Sequence, residues 1–371
     1  MTKNIIVCCD GTDNKLTIDK NTNIIHLFSC LKKNGNQIAY YNPGVGTISP
    51  DNYRSKIKRI LYKISDLATA TSLERNVIDA YIYLMNQYEL GDRIYLFGFS
   101  RGAYTVRMLS GLIEMFGLLH KGNENHLRHV MKVYSQADEK FATAPKFKKR
   151  FSRIVDIHFM GIWDTVVSVG GPINYYIPFP YTDVLTIVKT VRHAVAIDER
   201  RKHYKFSEIN KTIPGRKEVF FAGVHSDIGG SYPENESGLS KITLEWMLCE
   251  ASHCGLILDR AKVERYIYGQ GGPYQQPDFS RNIHNSLTLL FILSDFIPRL
   301  RFSKDSRFFG ITIDFKLWPK RKIPADAMIH TSVFDKLSQS NVNVKYGPSN
   351  ININNNYQKI HNLALIYHED N

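Results

Sequence analysis

Ser100 stands in Gly98-Phe99-Ser100-Arg101-Gly102, a GxSxG pentad between the apolar run Arg93 to Phe99 and an apolar-faced stretch from Ala103 to Phe116. A serine at the apex of a sharp strand-to-helix turn lifts its hydroxyl clear of a sheet, and small flanking residues let neighbouring backbone come close. The helix that follows aims its N-terminus at the reacting centre, which places the Arg101 N–H to hold an oxyanion. A serine hydroxyl attacks a carbonyl only when a base takes its proton. A histidine steadied by a carboxylate is therefore required further along the chain.

Position selects among the 13 histidines. In sheets of this kind the partners follow at later strand ends, acid before histidine. Asp164 closes the apolar run Ile157 to Trp163 and His225 closes Val219 to Val224, which makes them the candidate acid and base. Asp227 is the rival acid, close enough in sequence to orient the His225 ring, and Gly229-Gly230 beyond it signals a tight turn. Asp10-Gly11-Thr12-Asp13 ends the first apolar run, and Gly11 N–H is placed there as a second oxyanion donor. Asp10 and Thr12 are supporting residues, with the Asp10 side chain an anchor for its loop.

Two other chemistries use some of the same residues. A metal set of Asp10, His158, His225 and Asp227 contains no recognised short ligand motif. Phosphoryl transfer through Asp10 would call for a second aspartate two residues on, where Thr12 stands. The serine route needs no metal and no cofactor.

The elements that must position these residues alternate in type. Asn4 to Cys9 and Gln37 to Tyr41 read as strands, with a helix over Asn23 to Leu31 between them and Thr22 as its cap. Ser72 to Tyr88 reads as a helix with a Thr71–Glu74 capping box and a stripe of Leu73, Val77, Ala80, Tyr81 and Leu84. Arg93 to Phe99, Ile154 to Trp163 and Val219 to Val224 read as further buried strands. The alternation predicts an α/β fold, a mostly parallel central sheet with helices on both faces. The aromatic segment from Pro172 to Thr190 is expected to form a lid or site wall, with Tyr175, Tyr176, Ile177, Phe179 and Tyr181 lining an apolar channel. No repeat or linker interrupts the chain, so a single domain over 1–371 is expected, its core at about 1–260 and an elaboration over 261–371.

Bulk properties exclude little. At 371 residues, 43% hydrophobic and 22% charged, the chain can bury a full core. The net charge of +13 favours peripheral contact with acidic lipid surfaces but specifies no nucleic-acid site. The clusters Lys146, Lys148, Lys149, Arg150, Arg153 and Arg192, Arg200, Arg201, Lys202 read as solvated faces. Five cysteines without metal-ligand spacing suit a reducing compartment. With neither a classical signal peptide nor a long apolar stretch in view, the expectation is a cytoplasmic protein or one exported by a dedicated secretion system.

Taken in order, Cys9-Asp10-Gly11-Thr12, Gly98 to Ala103, Gly161 to Val166, Arg192 to Arg200 and Gly223 to Gly230 resemble the DUF2235 α/β-hydrolase domain family. That family includes phospholipase effectors delivered by type VI secretion. The resemblance spans roughly residues 4 to 260, and Ile329 to Val333 is similar to its C-terminal signature. It implies a Ser100, Asp164, His225 triad acting on an ester, phospholipid as the substrate class, and an immunity or secretion partner protein. His193 and Asp198 match one block, and packing beneath the site is the role expected of them. The competing reading is a non-catalytic lipid- or protein-binding member of the fold, or an esterase on another substrate. A blocked pocket or misaligned Ser100 and His225 would mark the binding protein.

Overall fold

Strand β1 (Asn4–Cys9) is buried along its whole length because both of its faces carry apolar side chains. Ile5, Val7 and Cys9 face one layer of helices and Ile6 and Cys8 the other, the two-residue alternation of an extended strand. The computed structural model describes residues 2–11, 20–44, 70–135, 144–166, 179–201, 204, 206–210, 212–287, 299–302, 309–312, 320–338, 346–352 and 354–368.

Around β1 lie β2 (Gln37–Asn42), β3 (Arg93–Phe99), β4 (Leu118–Leu119), β5 (Ser152–Arg153), β6 (Ile157–Trp163), β7 (Val191–Ala196) and β8 (Arg216–Phe221). Four short strands follow: β9 (Arg299–Phe302), β10 (Phe309–Thr312), β11 (Met328–His330) and β12 (Gln358–Ile360). Eight of these form one sheet in the order β12-β11-β8-β7-β6-β3-β1-β2, and every pairing within it is parallel. The pairs β4–β5 and β9–β10 are separate antiparallel ladders.

Helices α1 (Asn23–Cys30), α2 (Ala70–Gln87), α3 (Arg101–Phe116), α4 (Leu127–Ser135), α5 (Ala144–Phe151), α6 (His225–Gly229), α7 (Gly238–Ser252), α8 (Arg260–Tyr266) and α9 (Thr331–Ser338) complete the described fold. The apolar stripes of α2 and α3 pack on one face of the sheet, those of α1, α7 and α8 on the other. This is the α/β architecture expected, with helices on both faces. From β1 the chain passes to β2 on one side and to β3 on the other, so the order in which strands are added reverses there. Crevices at such reversals lie beyond the carboxyl ends of the strands. Ser100 follows β3 at that end.

Several local readings change. Thr71 lies inside the first turn of α2, and a cap needs non-helical backbone, so it is not the cap expected. Ile154 is 80% exposed between β5 and β6, and the strand proper starts at Ile157. Strand β8 ends at Phe221, so His225 opens the short helix α6 instead of ending a strand. Strand β7 falls in a block read only by resemblance, and β11 and β12 bring residues beyond 320 into the central sheet. Thr12, Lys202, Tyr175, Tyr176 and Ile177 lie outside the described residues. Phe179 is buried against Tyr104 and Tyr134 as core packing, while Tyr181 is partly exposed.

Four members of the basic clusters have partners within the fold, while Lys146, Lys149, Arg150 and Arg200 are exposed. Lys148 and Arg153 donate to backbone carbonyls, of Glu114 and of Tyr88, Met85 and Leu119 respectively. Arg192 is buried in an ion pair with Glu250, and Arg201 in one with Glu199. No helix among the described residues is long and apolar enough to cross a membrane.

Candidate active site

Ser100 sits at φ 57° and ψ −119°. Such a conformation costs energy for a residue with a side chain and persists only where its surroundings enforce it. They do so through two glycines. A Cβ on Gly98 would lie 2.5 Å from Gly102 O, and one on Gly102 would lie 2.1 Å from Cys9 O. The elbow therefore packs directly against the end of β1. Backbone bonds from Ser100 N–H to Trp163 O (3.0 Å) and from Val166 N–H to Ser100 O (3.4 Å) tie it to the end of β6.

The side chain of Ser100 meets His225. Its Oγ is 2.8 Å from His225 Nε2, and His225 Nδ1 is 2.6 Å from Asp164 Oδ2. An ionised carboxylate only accepts, so His225 carries its proton on Nδ1 and leaves Nε2 to accept from the serine hydroxyl. The ring is held on two sides by Phe99 and Tyr204, each with its centroid 4.7 Å away. Gly229 makes room for Phe99, since a Cβ there would fall 1.9 Å from that ring. Burial lowers the His225 pKa below its ordinary value, although the Asp164 bond opposes this. The imidazole is thus neutral near pH 7, the form that can take a proton.

Asp164 is fully buried at the end of β6, with φ 39°. Burial alone would raise its pKa, but the Arg321 charge and the His225 hydrogen bond outweigh it and hold the carboxyl well below the usual range. Arg321 Nη2 donates to Oδ2 at 3.0 Å, Arg321 Nη1 donates to Oδ1, and Ala196 N–H also donates to Oδ1 at 3.0 Å. Nothing in the sequence pointed to Arg321. Its only signal there is physical, in that a buried carboxylate needs a cation. The cation comes from an irregular segment far along the chain.

The rival acid is occupied elsewhere. Asp227 accepts from Val224 N–H (3.0 Å) and His284 Nδ1 (2.6 Å), so it braces the turn that carries His225 without touching the ring. Glu199, another residue missed, accepts the His225 backbone N–H at 3.1 Å and is paired with Arg201. That pairing pulls its carboxyl down to about 2 against the effect of burial. Asp198 accepts from Gly223 N–H and the Tyr346 hydroxyl, and burial lifts its carboxyl to about 6. His193 bonds Thr165, the residue after Asp164, and Glu218 behind it. Both His193 and Asp198 lie beneath the site and hold its loops.

The Gly11 reading needs correction. Its N–H donates to Asp10 Oδ1 at 2.6 Å, because the buried Asp10 carboxylate gathers donors, the Thr22 and Tyr41 hydroxyls among them. Asp10 is the loop anchor expected, but it engages the amide meant for an oxyanion. Arg101 occupies the first position of α3, where the partial positive charge of the helix N-terminus is concentrated. No group of three potential metal ligands gathers among the described residues, and His158 instead bonds Cys254 O. A serine, a neutral imidazole and an ionised carboxylate in one hydrogen-bonded line can activate a hydroxyl for acyl transfer.

The chain is 42% identical over 220 residues to the uncharacterized protein YEL023C of Saccharomyces cerevisiae, an alignment covering 55% of this chain and 32% of that protein. An uncharacterized protein from Pseudomonas aeruginosa of known crystal structure is 19% identical, with a TM-score of 0.42 over 70% of this chain and 47% of that one. The chain thus spans about a third of the yeast relative's length and about half of the bacterial one's. The model of one family, described as the type VI secretion system (T6SS) phospholipase effector Tle1-like catalytic domain, matches residues 3–250. That stretch contains Ser100, Asp164 and His225, and the chain belongs to the Tle1-like phospholipase effector catalytic domain family.

Proposed function

We propose that the chain is a serine esterase that cleaves the carboxylic esters of glycerophospholipids, a phospholipase A-type activity, using Ser100, His225 and Asp164. The observation that carries this reading is the line of contacts Ser100 Oγ–His225 Nε2 (2.8 Å) and His225 Nδ1–Asp164 Oδ2 (2.6 Å), set on a strained elbow. The lipid substrate class comes from family membership. A binding-only descendant would have no need to keep a serine in a costly conformation against a buried imidazole.

In the reaction His225 Nε2 takes the Ser100 proton as Oγ bonds to the ester carbonyl carbon. Asp164 stabilises the imidazolium and fixes its tautomer. The Arg101 N–H, at the head of α3, stabilises the oxyanion. Collapse breaks the bond to the alcohol oxygen, which takes the proton from His225 and leaves as the lysophospholipid. Water, deprotonated in turn by His225, then releases the fatty acid from Ser100. A single domain is supported by β11 and β12, which extend the central sheet, and by Arg321, which reaches Asp164.

Fatty-acid release from mixed phosphatidylcholine and phosphatidylglycerol vesicles tests the assignment. Wild type releases fatty acid and Ser100→Ala does not. Hydrolysis of a short soluble ester without release from vesicles would keep the esterase and discard the lipid.

A further inference from the structure

The Asp164 carboxylate is gripped from two sides. His225 approaches Oδ2 from one, and the Arg321 guanidinium spans both oxygens from the other. A bidentate guanidinium fixes a carboxylate in orientation as well as charge. Arg321 is itself held: Nη1 also donates to Ala196 O and Nη2 to Tyr204 O, both at 3.0 Å, and its backbone carbonyl accepts from Asn350. The guanidinium lies over the Phe206 ring and its side chain is 7% exposed. The clamp therefore joins the ends of β6 and β7 to a segment beyond the 3–250 family match.

On the basis of the triad proposed above, we propose that Arg321 is its positioning residue, holding the Asp164 carboxylate in one orientation against His225 and balancing its charge. A purely structural arginine would tie segments together without affecting proton affinity at the imidazole. A charge clamped to Asp164 does affect it, because it weakens the carboxylate's pull on a second proton at His225. The other charged groups facing His225 are Glu199, through the backbone N–H, and Arg201, beside Tyr204. These two pair with each other, and His193 stands behind Thr165. Removing Arg321 leaves Asp164 as the unbalanced charge beside the ring.

The test is an NMR titration of the His225 imidazole in the full chain, with wild type, Arg321→Met and Arg321→Lys. Loss of the charge in Arg321→Met moves the midpoint up by about one pH unit. Arg321→Lys keeps the charge and moves it by a small fraction of that. If the methionine variant fails to fold, Arg321→Gln, which retains an N–H donor without the charge, is read in its place with the same upward shift expected. A midpoint unchanged in the folded neutral variant overturns the proposal. Fluorophosphonate labelling of wild type and Ser100→Ala runs in parallel. Absence of Ser100-dependent label would remove the hydrolase reading, while the titration still judges Arg321.

Discussion

Gly102 is the residue where the fold and the proposed chemistry depend most directly on one another. A methyl group in Gly102→Ala would lie 2.1 Å from Cys9 O and 2.5 Å from Asp10 O, both of them backbone atoms. Ordinary contact begins at 3.4 Å, so α3 and the end of β1 must part before the methyl fits. Neither can yield easily, since β1 is laddered to both β2 and β3 and α3 is buried along most of its length. Overpacking of this kind costs about 1–3 kcal/mol. A displacement of about 1 Å at a reacting centre, the scale this clash demands, costs about 100-fold in rate. The rate of fluorophosphonate labelling and the urea midpoint should therefore fall together in Gly102→Ala. Gly35→Ala, with nothing within 4 Å of the new methyl, should change neither. Labelling of Gly102→Ala at the wild-type rate with unchanged stability would refute the steric argument for the elbow.

Three further outcomes separate the roles assigned above. Asp164→Asn should cut ester hydrolysis by about 10⁴-fold, because the His225 tautomer is no longer enforced; steady-state kinetics on a soluble ester would show it. Asp227→Asn should cost only about tenfold, since Asp227 braces the turn and does not touch the ring. A loss as large as that of Asp164→Asn would reverse the assignment of the acid. Glu199 is held at about 2 in the folded chain against an ordinary 4.5. Its contribution to stability is present above about pH 4.5 and is lost as pH falls toward about 2, by about 3 kcal/mol. Denaturation of wild type and Glu199→Gln across that window should converge at the acid end, and parallel curves would contradict this.

The elbow and its two partners are readable in sequence because each is signalled locally, by a glycine-flanked serine or by an ionisable residue just beyond an apolar run. Strand β7 was not readable as a strand because Arg192 and His193 interrupt its apolar pattern. Both are buried, and what makes that tolerable is Glu250 on α7 and Glu218 on β8, partners that only the fold supplies. Strands β11 and β12 have three residues each, too few to show an alternation. Arg321 follows the same logic, since its partner is remote in sequence and its own segment is irregular. The choice between Asp164 and Asp227 likewise depended on direction, which spacing does not carry: Asp164 points at Nδ1, and Asp227 points at the His284 side chain and the Val224 amide. Gly11 looked available as a donor because sequence does not reveal which acceptor an amide already serves.

The measurement that tests the central claim most directly is mass-spectrometric mapping of a fluorophosphonate adduct on the full chain at neutral pH. The account predicts a single adduct on Ser100 in wild type, none in Ser100→Ala, and almost none in His225→Ala, because the hydroxyl there lacks its base. Wild type that is folded yet unlabelled, or labelled equally well without His225, would contradict it.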